Sequence, residues 1–291
     1  MNASILLQAL VNGIMVGGIY AMIGMSLNLI FGVMKIVNFC QGEILMIGMY
    51  MTFLFNQELG LDPFLTIPLV AVLMFLFGAL LQMTLITRSI KEDGDQNVLF
   101  LTACLGVLFS NGALLLFKSD YRTAASKLGN EVIHLGNLNI SVPRLLGFVV
   151  LCIVTALVFI MLKYTKLGKQ IRATSQNAVG AQVTGVKTKV IYACTYGLGA
   201  AIAGVAGACL MSYYYVYPSV GNIYGTRSFI VVTLGGLGST FGAFLGGLGL
   251  GVMETVGSVV VGAAFKDTLV FIVFILILVL KENLNRKSKR G

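Results

Sequence analysis

Apolar residues run along this chain in long unbroken stretches, and the charge-free runs set the lengths of its elements. Residues 1–34 carry no charge, and the runs 63–87, 96–117, 145–162 and 190–226 are free of charge for 25, 22, 18 and 37 residues. About 20 residues of α-helix cover the ~30 Å hydrocarbon core of a bilayer. A β-barrel would show short alternating segments in place of such runs. The pattern predicts an all-α, polytopic transmembrane helix bundle of about eight spans, within a range of seven to nine. The opening "MNASILLQAL" has no positive n-region, and the apolar run that follows is longer than a signal-peptide core, so it reads as a retained first helix.

Two places interrupt the pattern. At 38–43, "NFCQGE" breaks apolar sequence, and only 14 uncharged residues follow before Glu58. Fourteen residues give ~21 Å of helix, so either that helix begins before Glu43 or the break sits at the cytoplasmic rim. Two readings fit. Asn38 caps the helix and Glu43 sits in its favoured first turn, or Asn38, Gln41 and Glu43 line a polar cavity on a translocation path.

The second interruption is 163–189, "KYTKLGKQIRATSQNAVGAQVTGVKTK", with six Lys or Arg and no Asp or Glu. Its core, 164–188, is long for a connection between bundle helices, where 2 to 8 residues are usual. Within it Ser175 is placed to cap a short helix and Gly185 to end it. Val179 and Val183 are four apart, and Ala178 and Ala181 three apart, which gives a narrow face of small apolar groups. A helix lying on lipid would show Trp, Phe or Leu there. The six charges act as topological anchors; the helix between them has the shape of a knob for another protein's groove.

Charge fixes the orientation. Lys and Arg near span ends are retained on the cytoplasmic side. Placing 163–189 and the tail 284–291 inside puts 14 of the 20 Lys and Arg inside and the entire net charge of +9 there. A bundle domain over 1–283 then ends in a basic cytoplasmic tail, and the basic excess implies no nucleic-acid partner. Parity requires 228–262 to leave and re-enter the same outer side, as two short crossings or as a re-entrant hairpin bent at "GGLGSTFG". Gly235, Gly236 and Gly238 lie in that broken segment, and irregular backbone at membrane depth must be enclosed by protein or a wet cavity. They join the candidate path on that ground.

Composition agrees with the pattern. Hydrophobic residues are 57% and charged residues 11%, with a mean hydropathy of +0.93. The 35 glycines include small residues four apart at Gly13 and Gly17, at Ala200, Gly204 and Ala208, and at Gly238, Gly242 and Gly246. That spacing lets helix backbones approach closely in lipid. The five cysteines show no CxxC pair, so neither a disulfide framework nor a metal site is signalled. His134 is the single histidine, and no GxxxxGK[ST] occurs, so no histidine-based catalytic triad or nucleotide-binding loop can be assembled. An enzyme is not indicated, and no cofactor is expected.

Three ordered stretches carry a resemblance over nearly the whole chain: "SLNLIFGVMKIVNFCQGEILMIGMY", "LGKQIRATSQNAVGAQVTGVKTKVI" and "VVTLGGLGSTFGAFLGGLGLGVME". The chain resembles the permease subunits of branched-chain amino acid ABC importers, of the LivH type. The resemblance implies a multi-pass subunit of a bacterial cell membrane, paired with a second, related permease. It also implies two cytoplasmic ATPases that bind and hydrolyse ATP, docking at Ser175, Gln176, Asn177, Ala178, Val179, Gly180, Ala181 and Gly185, and an extracytoplasmic binding protein that delivers the amino acid. Family members often have Glu-Asp or Gln-Asp where this chain has Gln176 and Asn177, and Ala at Cys40. The residues themselves leave open a permease for urea or short amides and a stand-alone secondary carrier or channel.

Overall fold

The computed structural model describes residues 3–89, 95–126, 129, 131–136 and 138–288. Residues 90–94, in the expected inner turn, and 289–291, the end of the basic tail, lie outside the described residues. The chain is helical almost throughout: α1 Ala3–Met34, α2 Gln41–Leu59, α3 Pro63–Leu81, α4 Asp95–Phe117, α5 Val142–Tyr164, α6 Lys166–Gln176, α7 Ala178–Val183, α8 Thr188–Met211, α9 Val220–Gly235, α10 Thr240–Val260 and α11 Lys266–Ser288. A π-helical turn, Gln82–Ile86, continues α3, and a 3-10 turn, Ala263–Phe265, precedes α11. Six of these helices are long and apolar enough to cross a membrane. Among the described residues the departures from an all-α fold are a lone antiparallel bridge between Arg122 and Val216 and a hairpin, β1 Val132–Leu135 with β2 Leu138–Ser141, which turns at Gly136 in the left-handed region at φ 61°.

The elements start where local chemistry lets them. α2 begins at Gln41, two residues before Glu43, the first of the two placements its short charge-free run allows, and stops at Gly60 with φ 64°. Asp62 caps α3, its carboxylate accepting from Phe64 N–H at 3.0 Å, and Pro63 follows in the first turn. The run 190–226 does not continue as one helix toward Tyr217. α8 ends at Met211, Ser212 Oγ donates to the Cys209 carbonyl at 2.6 Å, and α9 starts at 220, eight residues before the expected segment.

Helices α1 and α8 are the centre. Of their apolar windows 83% is buried, against 22–33% in the other four candidate spans, so the latter form the periphery. Glycine makes the central packing possible. Methyl groups on Gly13 and Gly17 would fall 2.7 and 2.9 Å from backbone of α10, and one on Gly247 would fall 2.3 Å from Ala21 Cα. A Cβ on Gly204 of α8 would press 2.6 Å from the Met74 side chain of α3.

Pairings along α1 define two ends. α1 runs parallel to α5, with Gln8 bonded to Asn139 just before it, Gly18 beside Phe148 and Met25 accepting from Thr155. It runs antiparallel to α10, with Gly13 at Val252, Gly17 at Leu248 and Gly32 at Gly238. The α9–α10 turn and the segment 165–187 therefore share one end, and the β-hairpin, 212–219 and 261–265 share the other.

Candidate functional site

The segment 165–187 is two helices rather than a loop. Thr165 caps α6 by accepting from Gly168 N–H at 3.0 Å, and a Cβ on Gly168 would collide with the carbonyls that end α5, 2.3 Å from Met161 O. α6 is amphipathic: Gly168, Ile171 and Thr174 are buried, and Lys169 and Arg172 face outward. Ser175 does not cap the next helix. It lies within α6, its hydroxyl donating to the Arg172 carbonyl at 2.8 Å, because the helix runs through to Gln176. Asn177 breaks it with an extended backbone and caps α7 in its place, accepting from Gly180 N–H at 2.9 Å. Gly185 does end the helix, at φ 87°, with its N–H donating to the Gln182 carbonyl.

The small face of α7 divides. Ala181 is 5% exposed and Ala178 half-buried, and Gln182 Nε2 donates to Thr188 Oγ1 at 2.8 Å, so these residues seat the helix. Ala181, one of the expected docking residues, is thus buried against this chain. Val179 and Val183 are 70% and 84% exposed, and with Gln176, Asn177 and Gly180 they form the outer surface.

Asn38 and Gln41 come together, and Glu43 stays apart. Asn38 Nδ2 donates to Gln41 Oε1 at 2.8 Å, Gln41 Nε2 donates to Ser26 Oγ at 2.6 Å, and Ser26 Oγ donates to the Ile23 carbonyl at 2.7 Å. Asn38 Oδ1 accepts from Cys40 N–H, so it braces the turn while Cys40 holds the N-cap position of α2. Cys40 Sγ lies 3.8 Å from the Tyr196 hydroxyl on α8. All five residues are buried and their bonds close on one another. Glu43, also buried, lies in the first turn of α2 with Gly106 leaving room beside its carboxylate, and no cation is within salt-bridge distance among the described residues.

The glycine turn is held from α1. Gly236 and Gly238 take φ values of 91° and 85°, and Gly235 packs against Gly242 across the hairpin. Asn28, fully buried, donates through Nδ2 to the carbonyls of Gly236 at 3.0 Å and Ser239 at 2.7 Å, and accepts from Gly238 N–H. A single amide thus satisfies three backbone groups of an irregular turn.

A charged cluster sits toward the opposite end. Arg227 of α9 grips Glu254 of α10 through Nε at 3.2 Å and Nη2 at 3.1 Å, and Nη2 reaches Asp267 of α11 at 2.9 Å. Lys266 Nζ is 3.2 Å from the same Glu254 oxygen, and the Tyr20 ring of α1 lies 5.5 Å below the guanidinium. Arg227 and Glu254 are largely buried, with side chains 14% and 8% exposed. Bidentate geometry and a second carboxylate are what a buried guanidinium needs to remain there. The cluster borders a cavity of about 390 Å³ that Arg144, Tyr213 and Tyr214 also line. Burial pushes the Tyr213 phenol above the ordinary tyrosine range despite the pull of Arg144, so it stays a hydrogen-bond donor.

Comparison with known proteins decides the family. Residues 9–280 match the family model described as branched-chain amino acid transport system, permease component. This chain belongs to that permease family. It is 32% identical over 288 residues to the high-affinity branched-chain amino acid transport system permease protein BraD of Pseudomonas aeruginosa, covering 94% of each chain. It is 30% identical over 287 residues to LivH of Escherichia coli K12, covering 94% of this chain and 92% of that one. A probable LivH of Methanocaldococcus jannaschii is 24% identical over 258 residues, covering 87% and 81%. No solved structure matches.

Two features of this permease escaped sequence reasoning. Asn28 sits 208 residues from the Gly236 it holds, and nothing near it in the sequence marks a turn. Arg227 lies seven residues into α9 and pairs with Glu254 of α10, a contact between helices that the charge-free runs do not show. The available signal was that a lone Arg and a lone Glu, each in an apolar run, have opposite sign.

Proposed function

We propose that this chain is the membrane-spanning permease subunit of an ABC importer for branched-chain, apolar amino acids, working by alternating access. Two partner ATPases dock at α7 and drive the motion, a second related permease completes the path, and an extracytoplasmic binding protein delivers the substrate. ATP is bound and hydrolysed by those partners, with no cofactor held here. Among the described residues nine helices run alternately between the two ends, α9 the shortest at 16 residues, and that connectivity supports nine spans. The subunit lies in a bacterial inner membrane, with α7 and the carboxyl terminus on the cytoplasmic side.

The observation that carries this reading is α7: six residues, capped at Asn177, closed at Gly185, and presenting Val179 and Val183 outward. Two apolar side chains exposed on a short, well-anchored helix outside the bundle's apolar spans suit a groove in a protein partner. Motion of a docked ATPase would pass from α7 through the Thr188 bond and Ala181 to α8, at the centre of the bundle. Val183→Glu tests it, because the side chain is 84% exposed and its loss leaves the fold alone. Co-purification of the ATPases in mild detergent is expected to fall at least tenfold with the variant's membrane level unchanged; undiminished co-purification and uptake would overturn the docking role.

A further inference from the structure

The cavity beside Arg227 is lined by three cations, Arg144, Arg227 and Lys266, and two carboxylates, Glu254 and Asp267. Arg227 and Lys266 are matched to the carboxylates. Arg144 is not: its guanidinium lies 5.6 Å over the Tyr213 ring, and among the described residues no carboxylate is within salt-bridge distance of it. One positive charge is therefore left over in a partly enclosed space, where a carboxylate is the complementary group. Asp267, 60% exposed, is the more open of the two carboxylates; it lines the same cavity and keeps an accessible edge beside its bond to Arg227. The apolar part of the wall comes from Val16, Ile19, Leu210 and Ile223, beside tyrosine rings and the hydroxyls of Thr255 and Ser258. The volume is of the order that encloses a small ligand.

We infer that this cavity is a docking site for a free α-amino acid with an apolar side chain, its carboxylate on Arg144, its ammonium toward Asp267 and its side chain against the Val16, Ile19, Leu210 and Ile223 wall. The inference rests on the import reading and deepens it, since the cavity lies at the end of the bundle away from α7, where incoming substrate would arrive. The Arg227–Glu254 pair forms the floor and ties α9 to α10, so a ligand held here touches the hairpin whose far turn Asn28 pins.

Protection of a reporter cysteine tests this without requiring transport. Ser258, on the cavity wall, is changed to Cys in the assembled complex, and maleimide labelling at that position is followed by mass spectrometry. Leucine is expected to slow labelling; leucinamide and 3-methylbutylamine, which lack the carboxylate, are not. Arg144→Gln should raise the half-protecting leucine concentration at least tenfold, and Arg144→Lys should recover much of that loss. Equal protection by leucinamide, or by leucine with Arg144→Gln, overturns the site, and the ligand series on the unsubstituted Arg144 background decides it should that variant fail to assemble. Leucine uptake by the same complex is scored separately: uptake without protection removes this site and leaves the import reading, whereas protection without uptake does the reverse.

Discussion

Two polar clusters sit inside this bundle, and they solve burial in opposite ways. Around Asn38 and Gln41 the groups are neutral amides, hydroxyls and a thiol, each answered by a neighbour in a closed set. Around Arg227 the groups are formal charges, and the set is open: it borders a cavity and leaves Arg144 without a counter-ion among the described residues. Neutral groups can be sealed in an apolar bundle at little cost once bonded, whereas ions in such a place call for both a partner and a reason. The closed cluster fixes where the chain re-enters after α1; the open one is where a solute can be met.

The comparison breaks most visibly at Glu254. Glu254→Gln leaves the Arg227 guanidinium with Asp267 alone, and loss of one partner of a buried pair costs about 3–5 kcal/mol. Thermal unfolding in detergent should show a large fall in midpoint, partly reversed by adding Arg227→Gln. No change on Glu254→Gln would mean that the charges are already solvated and the cluster is not buried in function.

A smaller effect is expected in the closed cluster. Gln41→Leu takes the acceptor from Asn38 Nδ2 and one donor from Ser26 Oγ, which keeps its bond to the Ile23 carbonyl, at fully buried positions, a cost of about 1–3 kcal/mol. Leucine protection of the reporter at position 258 should be unaffected, which separates the two clusters by role. A loss of protection as large as that from Arg144→Gln would show that both belong to one site.

How much of this was legible follows from the range of each interaction. Helix positions, the capacity of Gly13 and Gly17 for close helix contact, and the ending of α7 at Gly185 are read from local pattern, because periodicity and glycine act within a few residues. The misplaced cap shows the limit: Ser175 and Asn177 are both good capping residues two apart, and the choice was made by Ile171 and Thr174, whose burial carries α6 on to Gln176. Residues 212–219 ended α8 sooner than hydropathy alone suggests, since uncharged tyrosines leave no break in a charge map. The pairs Asn28 with the glycine turn and Arg227 with Glu254 depend on which helices meet, and one sequence does not encode that in any local signal.

The central claim is that motion enters this subunit from ATPases at α7 and is not generated within it. Leucine uptake into liposomes holding this chain alone, then the complete assembly with ATP, tests that claim most directly. The expected result is no uptake by the chain alone under an imposed proton or sodium gradient, and ATP-dependent uptake by the assembly. Gradient-driven uptake by the chain alone, at a rate comparable to the assembly's, would contradict it.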